Sequence, residues 1–489
     1  MIPLSVFSVD LLSGNLLLLA SVLIFAAVLV AKAGNKLGAP SLLLFLLLGM
    51  LVGPDVLGLR FGDPKLAESI GHFAMSVIMF TAGLETSYAS TRPVFRQGVM
   101  FSTLGVMLTV LITGFALSLF GVPLLISFIL AAILSSTDSA SVFSVLRDKK
   151  LHLRENLSPL LELESGSNDP VALSLTVILV SFATSGDWLA KSPWVMVGTG
   201  ALMLLLQLGI GLAVGIGVGY AAKWALSKLQ SDNFALTAIL VLSMGFFSNG
   251  VAQAINGNGL LASYITAITI GNTVKLANQR DINKFFDGIT WIMQLLMFNL
   301  LGLMAHPSQM LPLILPALGL CLFMVFVSRP ASVFLCSLPF KGLSTRAKTL
   351  VSWVGIKGAG PILFALYAVV HGVDHSQEIF NFVFLFSVFS LLIQGGSIGW
   401  MAGKLHLSYD ADPVAETFGM EVPEEMGMMR DHIVTEEDLA NGVTLRDLHL
   451  PHGIRVMMIR RTGRFLVPHG SMPLEVGDHL VIIMGDTDD

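Results

Sequence analysis

Long apolar segments separated by short polar loops fill most of the chain. A helix needs about 20 consecutive, mostly apolar residues to cross a bilayer, and segments of this kind recur as far as residue 405. We predict about thirteen transmembrane helices, with approximate limits 11–31, 40–59, 66–86, 98–120, 122–146, 157–183, 194–226, 233–251, 258–276, 283–304, 311–339, 347–371 and 377–403. The pattern therefore predicts an all-α polytopic membrane protein.

The pattern changes after Lys404. Residues 406–430 are acidic and contain proline, as in a linker. Short alternating or apolar runs such as Ile454 to Ile459 follow, and turn residues separate them, which predicts β-strands. We expect a transmembrane domain at 1–405, an acidic linker, and a small α+β cytoplasmic domain at 431–489.

Composition and charge agree with a membrane protein. The chain has 54% hydrophobic and 12% charged residues and a mean hydropathy of +0.78. The net charge of −5 offers no general basic surface for nucleic acid, so no nucleic-acid partner is expected. With the N-terminus outside, the cytoplasmic loops contain seventeen Lys and Arg residues and the outer loops contain only Arg60, Lys65 and Lys191. This asymmetry predicts an inner (plasma) membrane protein with a cytoplasmic C-terminus.

Two predicted spans contain helix-breaking residues. In the fifth span, Ser135-Ser-Thr-Asp-Ser-Ala-Ser141 follows an apolar run, and such side chains compete with the helix by bonding to their own backbone. In the twelfth span, Val354-Gly-Ile-Lys-Gly-Ala-Gly-Pro361 combines three glycines with a proline. Interrupted helices at corresponding places in two halves are typical of transporters built from inverted repeats, which bind their substrate near the bilayer midplane.

Ionisable residues inside the apolar segments are candidates for function, because they are costly to bury in a membrane. Arg329 needs a partner there, and Glu164 is the one we expect, so this pair is expected to be structural. Asp169 then has no permanent counter-ion and is able to hold either a proton or a metal cation. Asp138 either lines the site or caps a half-helix. Lys357 either neutralises the ends of half-helices or belongs to a proton network.

Neutral oxygens beside Asp169 complete the expected site. Thr137, Ser165 and Asn168 offer the oxygen ligands that hard cations take. A monovalent cation at Asp169 is therefore the expected metal. Glu85, at the cytoplasmic end of the third span, is either an interfacial acid or part of a funnel leading to the site.

Four short motifs carry a family resemblance. They are Glu-Ser-x-x-Asn-Asp at 164–169, Thr-Asp at 137–138, Arg-Pro at 329–330 and Gly-x-Lys-Gly at 355–358. Together with Phe80–Glu85 and Asn258–Tyr264, they resemble the NhaP-type branch of the monovalent cation/proton antiporters (cation/proton antiporter family 1) over residues 1–405.

The resemblance implies a role for each matching residue. Asp169 would carry the proton and the cation, and Glu164 and Arg329 would form a stabilising pair. The residues implied to line the site are Thr137, Asp138, Ser165 and Asn168. The family's common Arg in the twelfth span is here Lys357, a more compact charge that deprotonates more readily when buried, so its role follows less directly.

The C-terminal residues 448–485 resemble the regulatory C-lobe of potassium channels and transporters, a TrkA-C-like (RCK_C) module. The Leu-x-x-Gly-Asp turn that ends at Asp478 carries this resemblance. It implies the potassium/proton antiporter subfamily, with a cytoplasmic domain that gates transport. No cofactor is expected, and a small-molecule or nucleotide ligand on this domain stays open.

These observations lead to one hypothesis. The chain is a secondary active antiporter, not an enzyme, and exchanges K⁺ for H⁺ as a homodimer in the lipid bilayer, with a core of spans four to six and eleven to thirteen moving against a scaffold. Asn168 precedes Asp169 where a second acid would add a charge, which favours electroneutral exchange. The alternatives are Na⁺/H⁺ exchange and a gated cation channel. An intramembrane aspartyl protease would need Tyr-Asp and Gly-x-Gly-Asp contexts at Asp138 and Asp169, and neither is present.

Overall fold

A computed structural model of the chain describes residues 16–37, 40–58, 61, 63–138, 141–143, 146, 151–185, 192–229, 233–274, 279–340, 342–410, 429–435, 438–439, 442–448, 454–461 and 464–484. The chain divides into two compact units, Met1–Tyr409 and Asp410–Asp489. Most of the predicted acidic linker lies outside the described residues, as do Ser139 and Ala140 of the first interruption and Arg60 and Lys191 of the outer loops.

Helices packed side by side form the first unit. In chain order they are α1 (Leu16–Leu37), α2 (Ser41–Val52), α3 (Pro64–Glu85), α4 (Tyr88–Leu119), α5 (Leu124–Ile133), α6 (Leu157–Thr184), α7 (Pro193–Leu229), α8 (Phe234–Ala254), α9 (Gly259–Thr273), α10 (Gln279–Leu303), α11 (Pro307–Ser337), α12 (Thr345–Trp353), α13 (Ala359–Val370) and α14 (Ser376–Lys404). Two short strands, β1 (Leu151–Leu153) and β2 (Ser408–Asp410), pair with each other.

Eight helices among the described residues are long and apolar enough to cross a membrane, and shorter apolar helices accompany them. The predicted class, a mostly helical polytopic membrane protein, is confirmed. The count of about thirteen spans and the inverted repeats stay predictions.

Polar caps set where several helices begin. The Asp63 carboxylate accepts hydrogen bonds from the N–H groups of Lys65 and Leu66 at the start of α3, and Pro64 occupies the first helical position. Asn233 caps α8 and Ser344 caps α12 in the same way. These caps satisfy N–H groups that the first turn of a helix leaves without partners.

The largest hydrophobic cluster of the first unit contains side chains of α3, α6, α9 and α10 together, among them Met75, Leu173, Tyr264 and Phe298. Two smaller clusters accompany it. One joins α3, α7, α8, α9 and α10 through side chains that include Phe80, Val241 and Phe286. A second joins α4, α5 and α6 through side chains that include Val106 and Val171. We call α3, α7, α8, α9 and α10 the scaffold helices. Helix α6 therefore shares the largest hydrophobic cluster with three of the scaffold helices.

Both predicted helix interruptions are confirmed. Helix α5 ends at Ile133, and residues 134–138 are not helical. Helix α12 ends at Trp353 and α13 begins at Ala359, with a non-helical segment between them.

The C-terminal unit contains a four-stranded antiparallel sheet. Its strands are β3 (Met429–Ile433), β4 (Ile454–Arg461), β5 (Arg464–Leu466) and β6 (His479–Met484), in the spatial order β3-β6-β4-β5. Val434, Ile459, Leu474, Leu480 and Ile482 form its core. The predicted small sheet domain is confirmed, and its helical content in the described residues is one short 3-10 turn, Leu445–Leu448.

A charged pair joins β4 to the turn before β6. The Arg461 guanidinium donates to both carboxylate oxygens of Asp478, at 2.8 and 2.7 Å, and to Glu475 at 2.7 Å. Asp478 is buried, whereas the Glu475 side chain is 65% exposed. Burial alone would raise the pKa of the Asp478 carboxyl, but the hydrogen bonds from Arg461 and from the Glu475 N–H hold that pKa below its usual value. The Asp478 carboxylate therefore contributes stability above its usual pKa that is lost as the pH falls through its folded-state pKa.

We predict that D478N loosens this lobe far more than E475Q does. Losing the buried, charge-assisted hydrogen bonds should cost about 2 kcal/mol, which raises amide exchange in β4 and β6 by roughly 30-fold at neutral pH. Hydrogen exchange on the full chain measures this. The difference in amide exchange between the wild type and D478N should disappear below about pH 4, where the unfolded-state carboxyl protonates. Equal exchange in D478N and E475Q at neutral pH would contradict the prediction.

Candidate functional site

The two interrupted segments meet inside the helical unit. The N–H of Asp138 donates to the carbonyl oxygen of Ile356 at 2.9 Å, so the chain that leaves α5 bonds directly to the chain that links α12 to α13. Main-chain groups that lack helical partners must find others within a membrane. This bond satisfies one group from each segment, and each interruption therefore depends on the other.

The Lys357 ammonium lies at the C-terminal end of α5. It donates to the carbonyl oxygens of Ser135 at 3.3 Å and Ser136 at 2.7 Å, and the side chain is buried. The C-terminus of a helix carries partial negative charge, which a cation stabilises. Of the two roles that the sequence left open for Lys357, this geometry favours neutralising the end of a half-helix.

A π-helical turn in α14, Leu391–Gly395, supports the second interruption. The N–H of Lys357 donates to Ser390 Oγ at 2.9 Å, and Ser390 Oγ donates to Gln394 Oε1 at 2.6 Å. Gln394 Nε2 donates to the carbonyl oxygen of Trp353 at 2.8 Å. These bonds satisfy groups at both ends of the non-helical segment.

Asp138 makes the contacts of a helix cap. Its carboxylate accepts from the N–H of Ser141 at 3.2 Å and from the Ser141 hydroxyl at 2.6 Å, three residues further along the chain. It also lies against Gly358, where an added Cβ atom would overlap the carboxylate. Asp138 therefore fixes the geometry at the crossing of the two segments.

Asp169 lies in the middle of α6 and is buried, with 7% of its surface exposed. Its Oδ1 accepts a hydrogen bond from the Ser136 hydroxyl at 2.5 Å. No Lys, Arg or His among the described residues forms an ion pair with it. Pro170 follows directly and leaves the Gly166 carbonyl without its helical N–H donor. Asp169 and Ser136 are the oxygen donors best placed to hold a cation here.

Thr137 is held from α6 by two side chains. Ser165 Oγ donates to the Thr137 carbonyl oxygen at 2.5 Å. The Asn168 amide donates to Thr137 Oγ1 and accepts from the Thr137 N–H at 3.3 Å. The structure therefore brings Thr137, Ser165 and Asn168 together beside Asp169, where they fix the unwound segment to α6.

Glu164 and Arg329 form a buried ion pair. The Arg329 guanidinium donates to the Glu164 carboxylate, and the two side chains are 5% and 1% exposed. Arg329 comes from α11, directly after a π-helical turn at Met324–Ser328. The pair connects α6 to α11 more than one helical turn away from Asp169. Glu164 therefore has an ion-pair partner, whereas Asp169 has none among the described residues.

The remaining predicted residue lies elsewhere, and the structure adds others. Glu85 is the exposed last residue of α3 and does not lie in this cluster. Ser136, Ser390 and Gln394 also belong to this cluster, and no role was predicted for any of them. Ser136 lies in the polar Ser135–Ser141 run, which was the one available signal.

Comparison with known proteins adds two family matches. Residues 21–404 match the model of the sodium/hydrogen exchanger family, described as its transmembrane part. Residues 429–488 match the TrkA-C domain. The first match contains every residue of the cluster described above.

Similar whole proteins are also known. The chain is 33% identical to the K⁺/H⁺ antiporter NhaP2 of Shewanella oneidensis over 95% of this chain and 80% of that protein. It is 32% identical to the K⁺/H⁺ antiporter NhaP of Alkalimonas amylolytica over 97% of this chain and 82% of that one. Its fold is similar to that of the sodium proton antiporter MjNhaP1 of Methanocaldococcus jannaschii, with a TM-score of 0.67 at 21% identity over 79% of this chain and 97% of that chain.

We predict that G358A disrupts the crossing. The new methyl group would overlap the Asp138 carboxylate, and overpacking of this kind costs about 1–3 kcal/mol. The melting temperature of the purified protein should fall, and so should its transport rate. G319A is the matched control, because nothing lies within 4 Å of the Cβ position at this site in α11. If G358A melts and transports like G319A, the two segments do not pack this closely.

Proposed function

The chain belongs to the sodium/hydrogen exchanger family, and we propose that it exchanges K⁺ for H⁺ across a membrane through Asp169. One observation carries the proposal. Asp169 is a buried carboxylate beside two interrupted helices and has no ion-pair partner among the described residues, whereas nearby Glu164 is paired with Arg329. A membrane-embedded acid without a structural partner is typically retained for function.

Competition for one carboxylate couples the two fluxes. Asp169 holds a proton or a cation at any one time, so each ion leaves only when the other replaces it. The Ser136 hydroxyl donates to the bare carboxylate and turns its oxygen toward a bound cation when one is present. Thr137, Ser165 and Asn168 hold the unwound segment in place while this happens.

The charge count favours electroneutral exchange. The residue before Asp169 is Asn168, whose amide is neutral and is bonded to Thr137. Lys357 is bonded to the carbonyl oxygens of Ser135 and Ser136, directly after the end of α5, where its charge compensates that helix end. One titrating carboxylate therefore carries one proton in one direction and one monovalent cation in the other.

The choice of K⁺ rests on the relatives and on the second domain. The two antiporters of similar sequence are named for K⁺/H⁺ exchange, and the TrkA-C match accounts for the C-terminal unit. Na⁺/H⁺ exchange is the alternative, because the structural neighbour from M. jannaschii is a sodium proton antiporter.

We propose further that the C-terminal unit regulates transport. The D478N variant, expected to loosen its sheet, checks this: altered transport in D478N but not in E475Q supports regulation. The loop charges support the further proposal that the N-terminus lies outside and the C-terminus in the cytoplasm. We also propose that the protein is a homodimer in the inner membrane.

We predict that D169N abolishes proton-coupled cation flux without destabilising the protein. The neutral amide no longer exchanges a proton, and it removes the cost of burying an unpaired charge. E164Q, in contrast, should destabilise the protein and lower its melting temperature. It leaves Arg329 buried without its partner, at a cost of about 3–5 kcal/mol. Reconstituted vesicles and thermal melting measure both. Near wild-type exchange by D169N would remove Asp169 from this role.

We predict that K⁺ and Rb⁺ dissipate an imposed pH gradient at lower concentrations than Na⁺ does. The measurement uses vesicles with one cation at a time, and D169N vesicles report the leak. Na⁺ acting at lower concentration would establish the alternative substrate. Flux of K⁺ that continues when the proton gradient is uncoupled would indicate a channel.

A further inference from the structure

Asn258 connects the scaffold to the helix that carries Asp169. Its main chain is fixed to scaffold helix α7, because the Asn258 N–H donates to the Gln207 carbonyl oxygen at 2.9 Å. Its Oδ1 accepts from the Leu261 N–H at 2.8 Å and caps scaffold helix α9. These contacts belong entirely to the scaffold.

The Asn258 amide group reaches out of the scaffold to α6. Its nitrogen donates to the Pro170 carbonyl oxygen at 2.8 Å and to Ser174 Oγ at 2.9 Å. Asn258 and Ser174 are 6% and 1% exposed, so water does not compete for these bonds. Pro170 is the residue directly after Asp169. Both amide hydrogens of Asn258 therefore bond to α6, within one turn or so of the Asp169 carboxylate.

The helices pack closely around this contact. One turn before Asp169, Gly166 lies against the ring of Tyr264 on α9, where an added Cβ atom would overlap the ring. Leu173 of α6 and Leu260 and Tyr264 of α9 also belong to one hydrophobic cluster, so the two helices meet through apolar contacts as well as through this pair of hydrogen bonds. Hydrogen bonds can break and re-form at little net cost when each group finds another partner.

We propose that Asn258 is a positioning residue for transport, whose amide fastens α6 to the scaffold in one state of the cycle and releases it in the other. The inference rests on the proposed function, since it needs α6 to move relative to the scaffold. The Asn258–Ser174 contact then sets the balance between the two states. Removing it lowers the population of the state described here and leaves the chemistry of Asp169 unchanged.

Apparent affinity reports that balance. The half-saturating cation concentration on each side of the membrane is inversely proportional to the fraction of carriers open to that side. Weakening the contact should therefore raise this concentration on one side and lower it on the other. A change that merely damaged folding would reduce active protein and leave both values where they were.

Two variants separate the contact from the cap. N258S keeps a side-chain oxygen to cap α9 but loses both donated bonds to α6. S174A removes one acceptor on α6 and leaves the cap untouched. S76A is the matched control: Ser76 is also a buried serine that accepts from an asparagine amide, Asn249 at 2.7 Å, but both lie on scaffold helices.

The experiment measures cation-driven exchange in right-side-out and inside-out vesicles of the full chain. We expect N258S to change the half-saturating K⁺ concentration by about threefold in opposite directions on the two sides, as the loss of one or two hydrogen bonds allows. S174A should shift the two values in the same opposite directions as N258S does, but by a smaller factor. The N258S/S174A double variant should match N258S. S76A should match the wild type.

Hydrogen exchange provides a readout that does not depend on transport. N258S and S174A should increase amide exchange in α6 around Pro170, and S76A should not. The inference is overturned if exchange in α6 is unchanged, or if N258S and S174A alter both sides equally. Wild-type vesicles that exchange no cation for protons would instead overturn the proposed function.

Discussion

The need to compensate charge inside a bilayer governs this structure. Two interrupted helices expose main-chain groups and helix ends that water would otherwise satisfy. The Asp138 N–H bonds to Ile356, Lys357 covers the end of α5, and Gln394 reaches the Trp353 carbonyl. Arg329 and Glu164 neutralise each other. Against this background of local compensation Asp169 is the exception, with one hydroxyl from Ser136 as its hydrogen-bond partner among the described residues.

That exception links the architecture to the transport chemistry. A carboxylate that was permanently paired would have no reason to take up an ion, and one exposed to water would bind a monovalent cation weakly. The bonds from Ser165 and Asn168 fix the first interruption on α6, so Asp169 and Ser136 are held together. Asn258 then gives the scaffold a separate hold on that helix beside the carboxylate. A carrier helix that moves would need both kinds of contact: fixed polar partners at the interruptions, and a contact with the scaffold that can break.

Features that depend on local composition, or on the small number of buried charges, could be predicted from the sequence. Serine, threonine and aspartate in the fifth span and glycines in the twelfth predicted both interruptions, and few buried charges left Glu164 as the partner for Arg329. The sequence did not predict the long-range polar contacts. Ser136 bonds to Asp169 across 33 residues, and Asn258 to Ser174 across 84. Such pairs depend on how helices pack, which the spacing in one sequence does not reveal. The C-terminal sheet was predictable from its alternating runs and turns.

Competition at Asp169 is tested most directly by measuring the half-saturating K⁺ concentration as a function of pH, with equal pH on both sides of the vesicle and tracer K⁺ exchange as the signal. One shared site predicts that this concentration is constant at high pH and rises about tenfold for each unit of pH below the point where Asp169 takes up its proton. The maximal rate at saturating K⁺ should change far less. A half-saturating concentration that stays the same from alkaline to acidic pH would show that proton and cation bind at different places, and would contradict exchange through a single carboxylate.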